Sequence, residues 1–425
     1  MHLENGEKYM QKLDRAILVA LNYQGNYEAC EQSLDELEEL AKAVQIKTVD
    51  KVIQSNDKIE PKFFIGSGKV LEIKQMIDIL NVDMVIFDDT LSPAQIRNLE
   101  EALDVQIFDR AFLILQIFAL RAQTKQAMLE VALAQKLYML PRLAGMGKSL
   151  SRQGGGSFNA KGPGETKLET DRRRLNMEIT RLRASLEAIK KERGESRKRR
   201  FKNSIPVVAL VGYTNAGKSF LMNHLSNLYG TNKTEVFEKD MLFATLDTKS
   251  KRIQKDNQPP FILIDTVGFI SKLPPELIKS FESTLADIAT ADLILHIVDG
   301  KNYSPLQINF TKQVIKDLGL EETPRLLVVT KKDLLVHQPN ILEDYLLISN
   351  KTGEGMNDLY QAISAHIYKD SRIFKLLLPF DKGSIYERLK SDTTIIETNY
   401  TADGMFVKVV LTPYLYNLYK SYIMN

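Results

Sequence analysis

The chain has 425 residues, 44% of them hydrophobic, with a formal net charge of +3 and a single cysteine, Cys30. That length exceeds what one hydrophobic core serves and predicts about two to four domains. The composition excludes a disordered chain, and one cysteine excludes an internal disulfide framework, which suits a reducing compartment. The N-terminus MHLENGEKYMQKLDR is polar with no signal-peptide core. No apolar run approaches the ~20 residues of a membrane span, so a soluble cytoplasmic protein is expected.

The first hundred or so residues alternate strand and helix signals. RAILVAL (15–21), KTVDKVIQS (47–55), MVIFDD (84–89) and VQIFDR (105–110) read as strands. Helical patterns lie between them, the last starting with Ser92 as N-cap and Pro93 at the first helical position. This predicts a small α/β domain with a largely parallel sheet. Within it Cys30 reads as a small buried apolar residue. FIGSGK (64–69) looks superficially like a phosphate loop but lacks its full spacing.

From Ala111 to about Leu143 the helical pattern is unbroken, and a second long helix is expected over roughly Lys167 to Arg193. Between them runs GGGSFNAKGPGE, a glycine-rich stretch with no apolar strand leading into it. Two long antiparallel helices joined by such a loop predict a projecting arm. The charge is concentrated here: 147–203 carries 17 Lys or Arg against 7 Asp or Glu, so the rest of the chain is net acidic. A local cationic segment fits nucleic-acid contact through counterion release, and also fits a solvated helical face.

A buried strand, VVALV, then leads into Gly212, Tyr213, Thr214, Asn215, Ala216, Gly217, Lys218 and Ser219, which open a helix. This is GxxxxGK[ST] in its required context: backbone N–H groups and a helix N-terminus cradle phosphates, Lys218 reaches the β and γ oxygens, and Ser219 suits Mg²⁺. FILIDTVGF ends a second strand at Asp265, a carboxylate placed for the Mg²⁺ shell, with Gly268 positioned to meet a γ-phosphate. LLVVTKKD ends a third at Thr330, Lys331 and Asp333. A carboxylate there accepts from the N1 and N2 groups of guanine, which adenine does not offer, while the Lys331 stem lies over the base. Ser349, Asn350 and Lys351 form the last base-side loop. The stretch DMLFATLDTKSKRI, which includes Phe243, offers Thr245 and Thr248 as the switch threonine; Thr245 is the choice. His224 and His296 sit within helix and strand patterns and read as core residues.

Residues 371–425 contain KLLLPF, a helix through SIYERLKSD and a hairpin turning at Ala402, Asp403 and Gly404, which predict a small α+β appendage. Tyr414, Tyr416, Tyr419 and Tyr422 read as packing residues near a short terminal helix.

The ordered motif set resembles the translation-factor-related GTPases, and TKxD in place of NKxD also occurs in Rho-type GTPases. Outside that region FIGSGKV (64–70), IFDDTLSPAQIRNLE (86–100), FDR (108–110), the LPRL turn (140–143) and GGGSFNAKGPGETKLETDRRR (154–174) resemble HflX, a family of ribosome-associated GTPases. The resemblance is collinear from about Arg15 to Ile367. With the patterns read above it implies an N-terminal α/β domain (1–110), a long antiparallel helical arm (111–200) and a central P-loop GTPase domain (201–370); the residues beyond the resemblance read by themselves as a small C-terminal α+β domain (371–425).

The resemblance also implies a monomeric partner of the large ribosomal subunit that uses GTP with Mg²⁺ and separates stalled ribosomes into subunits. Large-subunit assembly, hibernation rescue and an N-terminal RNA-remodelling ATPase are the alternatives. Lys218, Thr245 and Gly268 would carry catalysis; Ser219, Thr245 and Asp265 would hold the metal. Arg152, Gly154, Gly155, Gly156, Lys161, Gly162, Lys167, Arg172, Arg173 and Arg174 would meet rRNA. Asn215 matches the asparagine that holds K⁺ in some related GTPases, and equally suits a loop turn. Phe269 stands where Ras-like enzymes carry a water-orienting glutamine, which implies slow hydrolysis without a partner.

Overall fold

The computed structural model describes residues 15–23, 26–143, 167–200, 205–230, 249–255, 258–266, 268–270, 272 and 288–424. Phe243, Thr245, Thr248, Arg152, Gly154, Gly155, Gly156, Lys161 and Gly162 lie outside the described residues. The chain divides into two compact units, Met1–Ile189 with Lys272–Phe281, and Lys190–Ser271 with Glu282–Asn425.

In the first unit, β1 (Arg15–Asn22), α1 (Tyr27–Ala43), β2 (Lys47–Ser55), α2 (Ser67–Leu80), β3 (Met84–Phe87), α3 (Pro93–Leu103) and β4 (Gln106–Asp109) alternate as expected. The four strands form a parallel sheet in the order β2-β1-β3-β4. All of Ala16–Asn22 and Met84–Phe87 are buried, as befits strands covered on both faces by crossover helices. Helix α3 starts with a capping box: the Ser92 hydroxyl accepts from the Gln95 amide, the Gln95 side chain accepts from the Ser92 amide, and Pro93 occupies the first turn. Cys30 is buried, as its small apolar character predicts.

The expected unbroken helix from Ala111 is two helices, α4 (Arg110–Arg121) and α5 (Lys125–Met139). Ala122 turns into extended backbone, and the Thr124 side chain caps α5 by accepting from the Ala127 amide. The apolar pattern runs through this break because both helices bury faces. Helix α6 (Lys167–Arg200) packs Leu175, Ile179, Leu182 and Leu186 against Leu129, Leu133 and Leu137 of α5 and Leu140 just beyond it. Lys136 pairs with Glu178 at 2.8 Å.

The FDR and LPRL segments meet in one buried polar hub. Asp109 Oδ1 accepts from the Phe112 amide at 3.0 Å and the Tyr138 hydroxyl at 2.7 Å, and its Oδ2 accepts from Arg142 at 2.9 Å. The Arg142 guanidinium lies 3.4 Å from the centre of the Tyr138 ring. Burial, then Asp109, pushes the Tyr138 phenol well above its usual range. Beside it the fully buried Arg110 pairs with Asp88 and Glu36, each at 2.6 Å. Burial alone would raise Asp88, but Arg110 and Lys272 outweigh it and hold the carboxyl below its ordinary value.

The second unit carries a six-stranded sheet. Its elements are β5 (Val207–Gly212), α7 (Lys218–Tyr229), β6 (Lys249–Ile253), β7 (Phe261–Asp265), β8 (Leu293–Asp299), α8 (Pro305–Asp317), β9 (Arg325–Thr330), β10 (Tyr345–Leu347) and α9 (Met356–Ile367), ordered β10-β9-β8-β5-β7-β6. All pairs are parallel except β6 with β7. Val208, Leu210, Leu263, Leu295, Ile297 and Val328 form its core with Leu221, Leu225, Leu359 and Ile363.

His296 is buried in β8, where burial pushes its imidazole down to about 3 and Arg325 sits 2.9 Å from Nδ1. It is a neutral core residue with its proton on Nε2. His224 is half-buried on α7.

The unit ends in β11 (Arg372–Leu378), α10 (Gly383–Asp392), β12 (Ile395–Thr401), β13 (Gly404–Leu411) and α11 (Pro413–Tyr419), with an antiparallel sheet ordered β11-β13-β12. Tyr419 is buried in its core and Tyr422 packs against it, whereas Tyr414 and Tyr416 are exposed, Tyr416 with its ring 4.9 Å from that of Phe374. Among the described residues no helix is long and apolar enough to cross a membrane.

Candidate nucleotide site

The C-terminal ends of β5, β7, β8 and β9 converge on one edge of the sheet, where open α/β folds bind ligands. Residues 213–217 connect β5 to α7, and Gly217 caps the helix with φ 88°, the left-handed region glycine tolerates. Asn215 has φ 60°, which the turn itself accounts for and which asparagine accepts readily. The Tyr213 side chain is buried, with its ring 6.5 Å edge-on from Phe310.

Lys218 is buried, and its ammonium donates to the carbonyls of Gly212 at 2.9 Å and Tyr213 at 2.7 Å. Burial pushes its pKa down to about 8, with the Asp265 carboxylate opposing the shift. The cost of burying that charge is offset where an anion takes the place of neutral carbonyl oxygens. Next to it the Ser219 hydroxyl donates to Asp265 Oδ2 at 2.6 Å. A hydroxyl and a carboxylate converging in this way are hard oxygen donors of the kind Mg²⁺ takes with its own waters, so the residues fit that ion.

Gly268 lies against the phosphate loop so closely that a Cβ there would come within 2.8 Å of the Thr214 Cα and 3.0 Å of Lys218 Nζ. Backbone bonds stitch the two segments together: the Phe269 amide donates to Gly212 at 3.0 Å, and the Thr214 amide donates to Phe269 at 2.9 Å. The Phe269 side chain is buried and carries no group that can hydrogen-bond a water.

On the base side the Thr330 hydroxyl lies 2.8 Å from the Ala216 carbonyl and 3.2 Å from that of Val298. Threonine thereby ties the TKxD segment to the phosphate loop. The Ser349 hydroxyl donates to Asp333 Oδ1 at 2.6 Å and accepts from the Thr352 amide at 3.1 Å, which orients the carboxylate. The Asn350 amide donates to the Gly217 carbonyl at 3.0 Å, and Lys351 is exposed. Lys331 pairs with Asp299 at 2.8 Å. Asp299 had no place among the residues expected from the sequence; its signal is an acid closing the buried run LILHIV before Gly300.

The structure thus brings together Gly212, Tyr213, Thr214, Asn215, Ala216, Gly217, Lys218, Ser219, Asp265 and Gly268, and beside them Thr330, Lys331, Asp333, Ser349, Asn350 and Lys351. Of the cationic residues expected on the arm, Arg172, Arg173 and Arg174 are exposed on α6, whose chain includes Lys167. FIGSGK forms no second cradle: α2 begins at Ser67, the Gly66 amide donates to Gln54 at 2.9 Å, and Lys69 pairs with Glu72 at 2.6 Å.

Three family models match in series: "GTP-binding GTPase N-terminal" over 31–119, "GTP-binding GTPase Middle Region" over 121–200 and "50S ribosome-binding GTPase" over 207–331. GTPase HflX of Caldanaerobacter subterraneus is 41% identical over 407 residues, covering 96% of this chain and 93% of its own. The chain belongs to the HflX family of GTPases. GTPase HflX of Escherichia coli K12 is 36% identical over 88% of each chain. Among solved structures, the SsGBP–GDP complex aligns with 83% of this chain and 97% of its own at 23% identity and a TM-score of 0.45. As an HflX family member the chain is a GTP-hydrolysing enzyme, of a family that generally uses GTP with Mg²⁺.

Proposed function

We propose that this GTPase docks on the large ribosomal subunit in the cytoplasm, is activated there, and separates stalled or stress-inactivated ribosomes into subunits. The observation that carries the reading is the pairing of a built phosphate site with a buried, unusable Phe269 at the position of the water-orienting side chain. Such a site needs an outside group to orient water, and the family model named for 50S binding matches the domain that contains it.

In this reading Lys218 and the amides following Gly217 bind the β and γ phosphates. The Gly268 amide meets the γ-phosphate, and phosphoryl transfer goes directly to water. Ser219 and Asp265, with Thr245, would hold Mg²⁺, which would supply charge neutralisation at the phosphate oxygens. Asp333 reads the guanine edge and the Lys331 stem covers its face. Thr330, Ser349, Asn350 and Lys351 shape the base-side loop. Asn215 either holds K⁺ or only closes the loop turn; turnover that is higher in K⁺ than in Na⁺ favours the first and equal turnover the second. The arm enters folded rRNA, with Arg172, Arg173 and Arg174 supplying phosphate contacts and the glycine-rich segment probing the RNA.

Adding the monomeric protein with GTP to intact ribosomes and resolving the products by sedimentation tests this. Subunits accumulate if the reading holds. Binding confined to immature large subunits, with intact ribosomes untouched, supports an assembly factor.

A further inference from the structure

The carboxylate of Asp299 closes β8, and its partner in the parallel register is Thr330, the residue before Lys331. The pairing continues past the strand end with room only for glycine. The Gly300 amide donates to the Thr330 carbonyl at 3.1 Å, and a Cβ at Gly300 would lie 2.7 Å from that oxygen. The turn after β8 fixes the Asp299 side chain: Oδ1 accepts from the Lys301 amide at 3.0 Å and Oδ2 from the Asn302 side chain at 3.2 Å. Into this oriented carboxylate the Lys331 ammonium donates at 2.8 Å.

Lys331 is held at its other end too. Its backbone is left-handed, φ 61°, and the next residues are anchored through the Lys332 amide to the Ile348 carbonyl. A four-carbon stem with both ends fixed is a rigid apolar strip, whereas a free lysine must surrender its rotamer freedom on covering a ligand.

We infer that Asp299 is a positioning residue of the nucleotide site, holding Lys331 in the conformation in which its stem covers the purine face. The inference rests on the reading of Lys331 as the base-covering residue. The stem meets the flat of the ring, which guanine and hypoxanthine share, whereas Asp333 meets an edge that differs between them. Asp299 therefore governs affinity without governing base choice.

The test compares dissociation constants of GDP and IDP for the unaltered full chain, Asp299→Asn, Lys331→Ala and the double variant. Asparagine keeps an acceptor for the Lys301 amide, so the turn is retained; Asp299→Glu, with a displaced carboxylate, is the companion variant and should fall between. Asp299→Asn is expected to weaken GDP about fivefold, the scale of one partly exposed ion pair, with the GDP-to-IDP ratio unchanged. The double variant should be no weaker than Lys331→Ala alone, because the carboxylate acts only through that side chain.

A merely structural Asp299 would give additive losses. Additive losses, or an Asp299→Asn chain that binds as the unaltered one does while Lys331→Ala is weakened, overturn the inference. If Lys331→Ala itself binds GDP normally, the stem does not cover the base, and the underlying reading fails with it.

Discussion

Ser219 Oγ and Asp265 Oδ2 lie 2.6 Å apart, joining the first turn of α7 to the end of β7. Ser219 opens the helix that follows β5 and Asp265 closes β7, the parallel neighbour of β5, and the bond brings together the two oxygen donors that suit a divalent cation. Replacing Asp265 with Asn removes the charge and keeps the shape. GTP turnover at saturating Mg²⁺ is expected to fall about a hundredfold, a loss of the size seen when one transition-state charge contact is removed. Steady-state hydrolysis across a Mg²⁺ titration checks this; an unchanged rate and Mg²⁺ requirement would remove Asp265 from the metal site.

Lys218 should impose a pH dependence on nucleotide affinity. Its pKa is lowered by burial to about 8 in the free protein, and a bound polyphosphate favours the charged form. Binding then takes up a proton above pH 8, so the GDP dissociation constant should rise between pH 8 and 9. Lys218→Arg, which stays charged, should flatten that rise.

For folding the sign is the reverse. A lysine with a lowered folded pKa leaves the unfolded chain holding more protons between about 8 and its ordinary value of 10.5. The ligand-free protein should therefore gain stability as pH rises through that window, as denaturant unfolding at several pH values would reveal.

Asp333 and Ser349 predict a change of base preference. With Asn at 333, one acceptor becomes a donor, which suits the 2-oxo group of xanthine and repels the 2-amino group of guanine. GDP affinity should fall by at least about thirtyfold, near 2 kcal/mol, while xanthosine diphosphate gains. Ser349→Ala, which only frees the Asp333 carboxylate, should cost a few-fold and leave the preference for guanine in place. Competition binding with the two diphosphates distinguishes these outcomes.

Arg142→Ala should destabilise the first unit by about 3 kcal/mol, because it leaves the fully buried Asp109 carboxylate without its cation. Unfolding monitored by circular dichroism measures that loss. GDP affinity should be unaffected, since Asp109, Tyr138 and Arg142 stand in the first unit and the nucleotide site in the second.

Much of the nucleotide site was legible because phosphate chemistry is local. Gly212–Ser219 must follow a strand and open a helix, and that context is written in adjacent residues. The central strands were legible for a similar reason: β1 and β3 are buried on both faces and read as continuous apolar runs. The break at Thr124 was not, since a threonine that caps one helix is also tolerated within another and the apolar pattern continues across it. Nor was the partnership of Asp299 with Lys331, which are 32 residues apart in sequence and meet only because β8 lies beside β9. Asp109 is a parallel case: its acceptor role depends on Tyr138 and Arg142 folding back onto β4.

GTP turnover with and without purified large ribosomal subunits tests the partner-activated engine most directly. Stimulation of at least about tenfold is expected, a floor well below the roughly thousandfold or more that a completing partner can supply, and it should be lost when Arg172, Arg173 and Arg174 are replaced together by alanine. A rate that does not change when subunits are added would contradict the account.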